Sequence, residues 1–329
     1  VIKEERRRAG AFGLATVLAV AAYHLSVFGI LFLMPLEWIR HRQGSRSFLR
    51  AAVLAAAGIA AVEAGIKALT GSAWTSLDTV GMALPLVLIV GWLAIVEMER
   101  SGWRFLYRLL TVTAVTGLVL FPVIAWLLSQ PAFNQVVENA FDEVWTQVFQ
   151  APGLDVQGLT GKLDRSQFFE LLKQAFLGSL FSVLFLFWAV TGWLSRALEP
   201  GRARRTLKDF FVPRQGAWIL LGLWGLILAK FLLALKGVDW NWGGFEYVVA
   251  NAAFIVLVVH VAAGWGVLHV LMERAKLPRW AQALVRILLI VLLVTPVAGT
   301  WLVLGGLAML AVLELWVDFR KQIAYERKG

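Results

Sequence analysis

Residues 248–272 read VVANAAFIVLVVHVAAGWGVLHVLM, a run with no charged side chain and with Asn251, His260 and His269 as its polar interruptions. Wound as an α-helix at about 1.5 Å per residue, it is longer than the roughly 30 Å of hydrocarbon in a bilayer. It reads as a membrane-crossing helix, and the sequence on either side repeats the pattern. Downstream come the basic turn Glu273-Arg-Ala-Lys-Leu-Pro278, the apolar runs Trp280–Val297 and Thr300–Val317, and a closing Glu314-Leu-Trp316-Val-Asp318-Phe-Arg320. Upstream, further apolar runs cover Ala11–Met34, Phe48–Leu69, Val80–Val96, Phe105–Leu128, Phe176–Leu194 and Ala217–Leu235. The last two runs of the chain are separated only by Pro296-Val-Ala-Gly299, so they form a tight hairpin or one broken helix.

The expected architecture is therefore all-α: a polytopic membrane bundle of eight or nine crossings, forming a single integral membrane domain over residues 1–329. Composition agrees. The chain is 60% hydrophobic and 16% charged, with a mean hydropathy of +0.74, well outside the range of soluble globular domains. The absence of cysteine excludes disulfides, thiolate metal sites and a cysteine nucleophile. Sixteen tryptophans suit the aromatic belts at membrane interfaces.

A net charge of +10 would suggest nucleic acid in a soluble protein. Here the bases fall in short connections between apolar runs, where the positive-inside rule accounts for them, so no nucleic-acid partner is expected. Arg40, Arg42, Arg46 and Arg50 follow the first run, Arg100, Arg104 and Arg108 the third, and Arg196, Arg202, Arg204, Arg205 and Lys208 the fifth. Arg274, Lys276 and Arg279 follow the seventh, and Arg320, Lys321, Arg327 and Lys328 the last. This alternation predicts a bacterial plasma-membrane protein with a cytoplasmic C-terminus. Nine simple crossings would place the basic N-terminal residues Lys3, Arg6, Arg7 and Arg8 outside. The first run, expected to stay uncleaved, is therefore either a single crossing or, with His24 and Ser26 at its middle, a re-entrant pair of half-helices covered by protein.

Residues 130–173 are the one sizeable insertion. Phe133, Val136, Val137, Ala140, Phe141, Val144, Trp145 and Val148 recur at helical spacing, with Asn134, Gln135, Glu138, Asp142 and Glu143 opposite. Pro131 suits the first turn and Pro152-Gly153 the stop. The expected element is an acidic amphipathic helix on the outer face. Interfacial membrane helices usually carry bases, so docking on the mouth of the bundle is the preferred reading. Asp164-Arg-Ser-Gln167 offers a capping-box-like entry into the next helix.

Ionisable residues inside apolar runs are the candidate sites, since each costs about 2.5–3.5 kcal/mol at mid-membrane and must face protein or water. Glu63 and Lys67 lie one turn apart, where opposite charges pair along one helix face. Lys230 falls in the same outer half by direction of travel, and His260 near the middle of its run. These four are the ligand-binding candidates; their bland reading is an outer structural pair and a core histidine bonded to a neighbouring helix. Toward the inner side, Arg286 and Glu314 run at similar depth on antiparallel segments, with His269 nearby. With Asn251, Trp316, Asp318 and Arg320 they form a candidate structural clasp. Small residues at four-residue spacing (Ala52, Ala56, Ala60 and Ala64, then Ala57, Ala61 and Gly65, and Ala11, Ala15 and Ala19) permit close helix approach, within the bundle or against another membrane subunit. None of HExxH, GxxxxGK[ST], GxSxG or a strand-borne GxGxxG occurs, and the four histidines show no metal-ligand spacing. No catalytic residue, cofactor or metal is expected.

The block from Asn251 to Arg320 resembles the YybS-like family of predicted bacterial membrane proteins, a domain of unknown function. The resemblance is carried by Asn251, Gly264-Trp-Gly266-Val267, Glu273-Arg-Ala-Lys-Leu-Pro278 and Glu314-Leu-Trp316-Val-Asp318-Phe-Arg320. The chain departs from it at Ala263, where the family prefers glutamine, and at Glu314, where it prefers aspartate. That family is distantly similar to the substrate-binding membrane subunits of energy-coupling-factor vitamin transporters. The resemblance implies a helical bundle that captures a small molecule near its outer face and docks on a partner through small-residue stripes. Two functions follow as expectations: a small-molecule-binding or transport subunit, and a scaffold or accessory subunit binding another protein. A binding protein should turn its polar residues toward one interior, and a scaffold should scatter them among separate packing contacts.

Overall fold

A computed structural model describes residues 2–25, 31–149, 165–197, 210–238, 240, 242–294 and 298–317. Asp318, Arg320, Ser26, Pro152 and Asp164 lie outside these residues. The described chain is helical throughout, with no strand. Its helices are α1 (Ile2–His24), α2 (Leu33–Gln43), α3 (Ser45–Thr70), α4 (Ser76–Glu97), α5 (Phe105–Ser129), α6 (Pro131–Phe149), α7 (Arg165–Ala197), α8 (Arg214–Leu235), α9 (Phe245–Arg274), α10 (Arg279–Val294) and α11 (Ala298–Val317). Seven of them, α3, α4, α5, α7, α8, α9 and α11, are long and apolar enough to cross a membrane. The helices group into two compact units, residues 1–202 and 203–329.

Two of the nine expected crossings differ from that pattern. The first run is not one helix: α1 ends at His24 and α2 begins at Leu33. Ala9 and Phe12 of α1 line one groove with Gln43 and Ser47, while His24 lies against Glu63, far along α3. Helix α1 thus runs antiparallel to α3, and the 11 residues of α2 return about 17 Å to the end where α1 began. Helix α2 therefore returns alongside α1. The eighth run becomes α10, whose 16 residues reach only about 24 Å. It packs back on α11, where the Thr300 hydroxyl donates to the Leu293 carbonyl, so the last two runs form a hairpin.

In the first unit, Gly44 adopts φ of 87°, a left-handed conformation open to glycine at little cost, and so joins α2 to α3 without a loop. The alanines then become the contact surface. Ala15 and Ala19 of α1 are buried together with Ala51, Ala52 and Ala55 of α3, and Val20 fills the space beside Gly58. This is the within-bundle role of a small-residue stripe. Helix α4 starts at a capping box: Asp78 accepts from the Thr75 backbone at 2.7 Å, and its own N–H donates to the Thr75 hydroxyl. Gly91 of α4 lets the fully buried Trp188 indole of α7 lie on the helix backbone, where it donates to the Leu88 carbonyl at 3.0 Å.

The amphipathic helix forms as expected, with Pro131 opening it. Its apolar side lies on α7: Phe133 is buried, and Phe141 packs on Phe168 and Phe169. Its polar side is tied by Arg165 to Glu138 and Asp142, and by Lys173 to Asn134.

In the second unit, α9 packs on both α8 and α11 around Leu220, Leu257 and Ala308, with Trp224 and Phe254 against them. A Cβ on Gly264 would stand 1.8 Å from the Leu307 carbonyl oxygen. Gly264 is therefore a point of close backbone approach between α9 and α11. Phe254 meets Trp301 toward one end of this crossing, so the two helices run parallel.

Candidate functional site

At the end of α1, three helices, α1, α3 and α4, converge on a polar cluster. Its origin is Pro85 of α4, which has no N–H to give to the Gly81 carbonyl one turn back. Tyr23, in the last turn of α1, donates its hydroxyl to that carbonyl at 3.0 Å. The next residue, His24, turns Nδ1 toward the Glu63 carboxylate at 3.6 Å. Its Nε2 is buried and makes no hydrogen bond among the described residues. One turn beyond Glu63, Lys67 reaches Asp78 at 3.0 Å, so the capping aspartate of α4 also fastens the end of α3.

Glu63 and Lys67 are thus at the same end of the unit, but in place of the ion pair expected between them Lys67 pairs with Asp78 and Glu63 faces His24. Asp78, fixed at the start of α4 by its capping box, competes successfully for the ammonium. The His24 ring, edge-on to Tyr23 with centroids 5.5 Å apart, takes the carboxylate side. Glu63 and His24 remain partly open, at 35% and 22% side-chain exposure.

Lys230, in the second unit, has local partners of its own. It pairs with Glu246 at the start of α9 and lies over the Trp242 ring at 5.7 Å. His260 is buried and bonds within its own helix, Nδ1 to the Val256 carbonyl at 2.8 Å, rather than to a neighbouring helix. Its Nε2 edge faces Gly216 of α8 and has no partner among the described residues.

Of the clasp candidates, Arg286 and Asn251 have hydrogen-bond partners among the described residues, while Asp318 and Arg320 lie outside them. Arg286 donates to His269 Nδ1 at 2.6 Å and to Gln282, which places the other proton of that imidazole on Nε2, facing Glu273 at 3.8 Å. Glu314 is buried near the same end of α11. Asn251 bonds to the Tyr247 carbonyl at 2.7 Å and lies on the Trp301 side of the Gly264 crossing, away from Glu314. Trp316 is exposed.

Sequence reasoning passed over the most deeply buried carboxylate, Glu37. It has no exposed surface, yet both of its oxygens accept hydrogen bonds. Arg40 Nε spans both oxygens at 2.9 Å, Trp92 Nε1 donates at 2.6 Å, and the Ser195 hydroxyl donates at 2.7 Å. His41 Nε2 stands 3.1 Å from Ser195 Oγ and 3.6 Å from the carboxylate. Serine, histidine and glutamate together suggest a hydrolytic triad, but the geometry excludes one. A triad needs the carboxylate on the imidazole nitrogen opposite the serine, whereas here the same nitrogen faces both. The cluster joins α2, α4 and α7 as a buried ionic anchor. Its sequence signal was a lone glutamate ending an apolar run, with arginine three residues on.

Among the described residues of the first unit, two grooves stand out. One, of about 390 Å³, is lined by Asn134, Glu138, Gln167 and Glu170 between α6 and α7. The other, of about 720 Å³, runs between α1 and α3. Among the described residues no three histidine or acidic side chains are placed to hold a metal ion. Comparison of the chain with family models, curated proteins and solved structures gives no match.

Proposed function

We propose that this chain is a multi-pass membrane protein that binds a small polar molecule at the break between α1 and α2, as a binding or transport subunit. The observation supporting this reading is the buried, unpartnered Nε2 of His24 beside a partly open Glu63, at a helix break inside an apolar run. Discontinuous helices at membrane depth recur at transporter sites, because irregular backbone there is tolerated only where it lines a protein-covered cavity. Ionisable side chains at that depth default to function.

Placing the basic α2–α3 turn on the cytoplasmic side puts this cluster in the outer half of a bacterial plasma membrane and keeps the N-terminal bases inside. Resemblance to the YybS-like family, and through it to vitamin-capturing subunits, points the same way. The test is thermal stabilisation of the purified protein across a panel of small polar metabolites, for wild type, His24→Ala and Glu63→Ala. A ligand that stabilises wild type and neither variant supports the site. Identical stabilisation of all three overturns it.

A second reading, an accessory subunit that docks on another membrane protein, rests on the exposed Ala57, Ala61, Ala64 and Gly65 of α3 and on the local pairing of Lys230. It calls for a membrane partner that stays bound through gentle purification and is lost on Ala61→Leu.

A further inference from the structure

We infer that the groove between α1 and α3 is a binding site for an anionic phospholipid. Its walls are Phe12 on α1 and Leu49, Val53 and Leu54 on α3, the last three about half exposed or more. At its upper edge stand Arg50, Ser47 and Gln43. The order along α3 fits a lipid: Ser47 and Arg50, with Leu49 between them, stand at the edge, and Val53 and Leu54 follow about one turn deeper. Head group and acyl chain are thus met in sequence.

Charge selects the kind of head group. Among the described residues Arg46 and Arg50 make no ion pair, and no carboxylate lines the groove. Arg42 is occupied by the Trp38 ring, 4.5 Å away. Buried or paired arginines abound elsewhere in the first unit: Arg40 grips Glu37 and Arg108 donates to the Ile95 carbonyl. Arg50 is different in standing free at the mouth of an apolar groove. A guanidinium matches a phosphodiester by two parallel N–H···O bonds; the Ser47 hydroxyl beside it donates to the Gln43 carbonyl at 3.4 Å. Basic pockets between membrane helices hold anionic lipid head groups by this chemistry. A zwitterionic lipid presents the same phosphate but brings its own cation to the arginine-bearing edge of the groove.

The test uses the full chain in mild detergent and native mass spectrometry with three probes: phosphatidylglycerol, phosphatidylcholine of the same acyl chains, and inorganic phosphate. Phosphatidylglycerol should bind about fivefold tighter than phosphatidylcholine. Arg50→Gln should abolish that preference, Arg50→Lys should keep most of it, and Arg104→Gln, a base on a different connection, should leave it intact. Val53→Trp, which fills the groove, should lower the occupancy of both lipids. Equal binding of the two lipids by wild type overturns the inference, as does a preference that survives Arg50→Gln or is lost equally in Arg104→Gln. Inorganic phosphate binding as well as phosphatidylglycerol would mark an anion site without a lipid and would also overturn it.

Discussion

Ser195 donates its hydroxyl to the Glu37 carboxylate at 2.7 Å, although 158 residues separate them in the chain. This bond ties the end of α7 to α2, the short returning arm of the first hairpin. The same carboxylate takes the Trp92 indole from α4, so a single buried anion holds three helices in register.

Removing one partner of a buried ion pair leaves the other charge uncompensated and costs about 3–5 kcal/mol. Arg40→Ala should therefore destabilise the protein by an amount in that range, and Ser195→Ala by about 1–3 kcal/mol. Midpoints of thermal unfolding, followed by size-exclusion of the detergent-solubilised protein, check the order. Arg40→Ala indistinguishable from Arg42→Ala would remove the anchor.

The Pro85, Gly81 and Tyr23 relationship predicts a coupling. Tyr23→Phe should cost about 1 kcal/mol while Pro85 leaves the carbonyl free. In a Pro85→Ala background the restored N–H satisfies Gly81, so Tyr23→Phe should cost less. A double-mutant cycle that is additive within error would mean Tyr23 and the carbonyl do not depend on Pro85.

Close helix approach predicts intolerance at two glycines. An added methyl at Gly264 meets the Leu307 backbone, and one at Gly91 meets the Trp188 ring at 2.0 Å. Gly264→Ala should destabilise by about 1–3 kcal/mol, because backbone cannot move aside. Gly91→Ala should be partly rescued by Trp188→Leu, whose smaller side chain makes room. Wild-type stability in Gly264→Ala would refute the crossing.

The hairpin of α1 and α2 makes a topological statement. A reporter fused before Ala9 and one inserted at Gly44 should read on the same side of the membrane. Opposite readings would mean that the first run crosses once.

Much of this fold was legible from hydropathy. The long apolar runs became helices with nearly the expected limits, and α6 appeared with Pro131 at its start and Phe133 and Phe141 inward, because helical period and capping act locally. The first run was readable only as two alternatives, with polar His24 at the place where α1 ends. Glu63 and Lys67 were recognisable as costly side chains, yet their partners were not. His24 and Asp78 reach them through tertiary packing that no local spacing encodes. The same holds for Glu37, whose Trp92 and Ser195 partners lie on other helices, and for the Gly81 carbonyl, whose availability depends on a proline four residues away and whose partner lies on α1. The clasp was inferred from similar depth on neighbouring segments. Depth did not reveal that Asn251 lies across the Gly264 crossing from Glu314, or that Arg286 turns to His269.

The central claim is that the break beside His24 and Glu63 holds a small polar molecule, and it is tested most directly by what the protein carries. Gently purified wild type, His24→Ala and Glu63→Ala should be denatured and the released small molecules compared by mass spectrometry. The account predicts one polar compound near stoichiometric amount in wild type and largely lost from both folded variants. A wild-type protein that releases no such compound, or folded variants that retain it undiminished, would contradict the account.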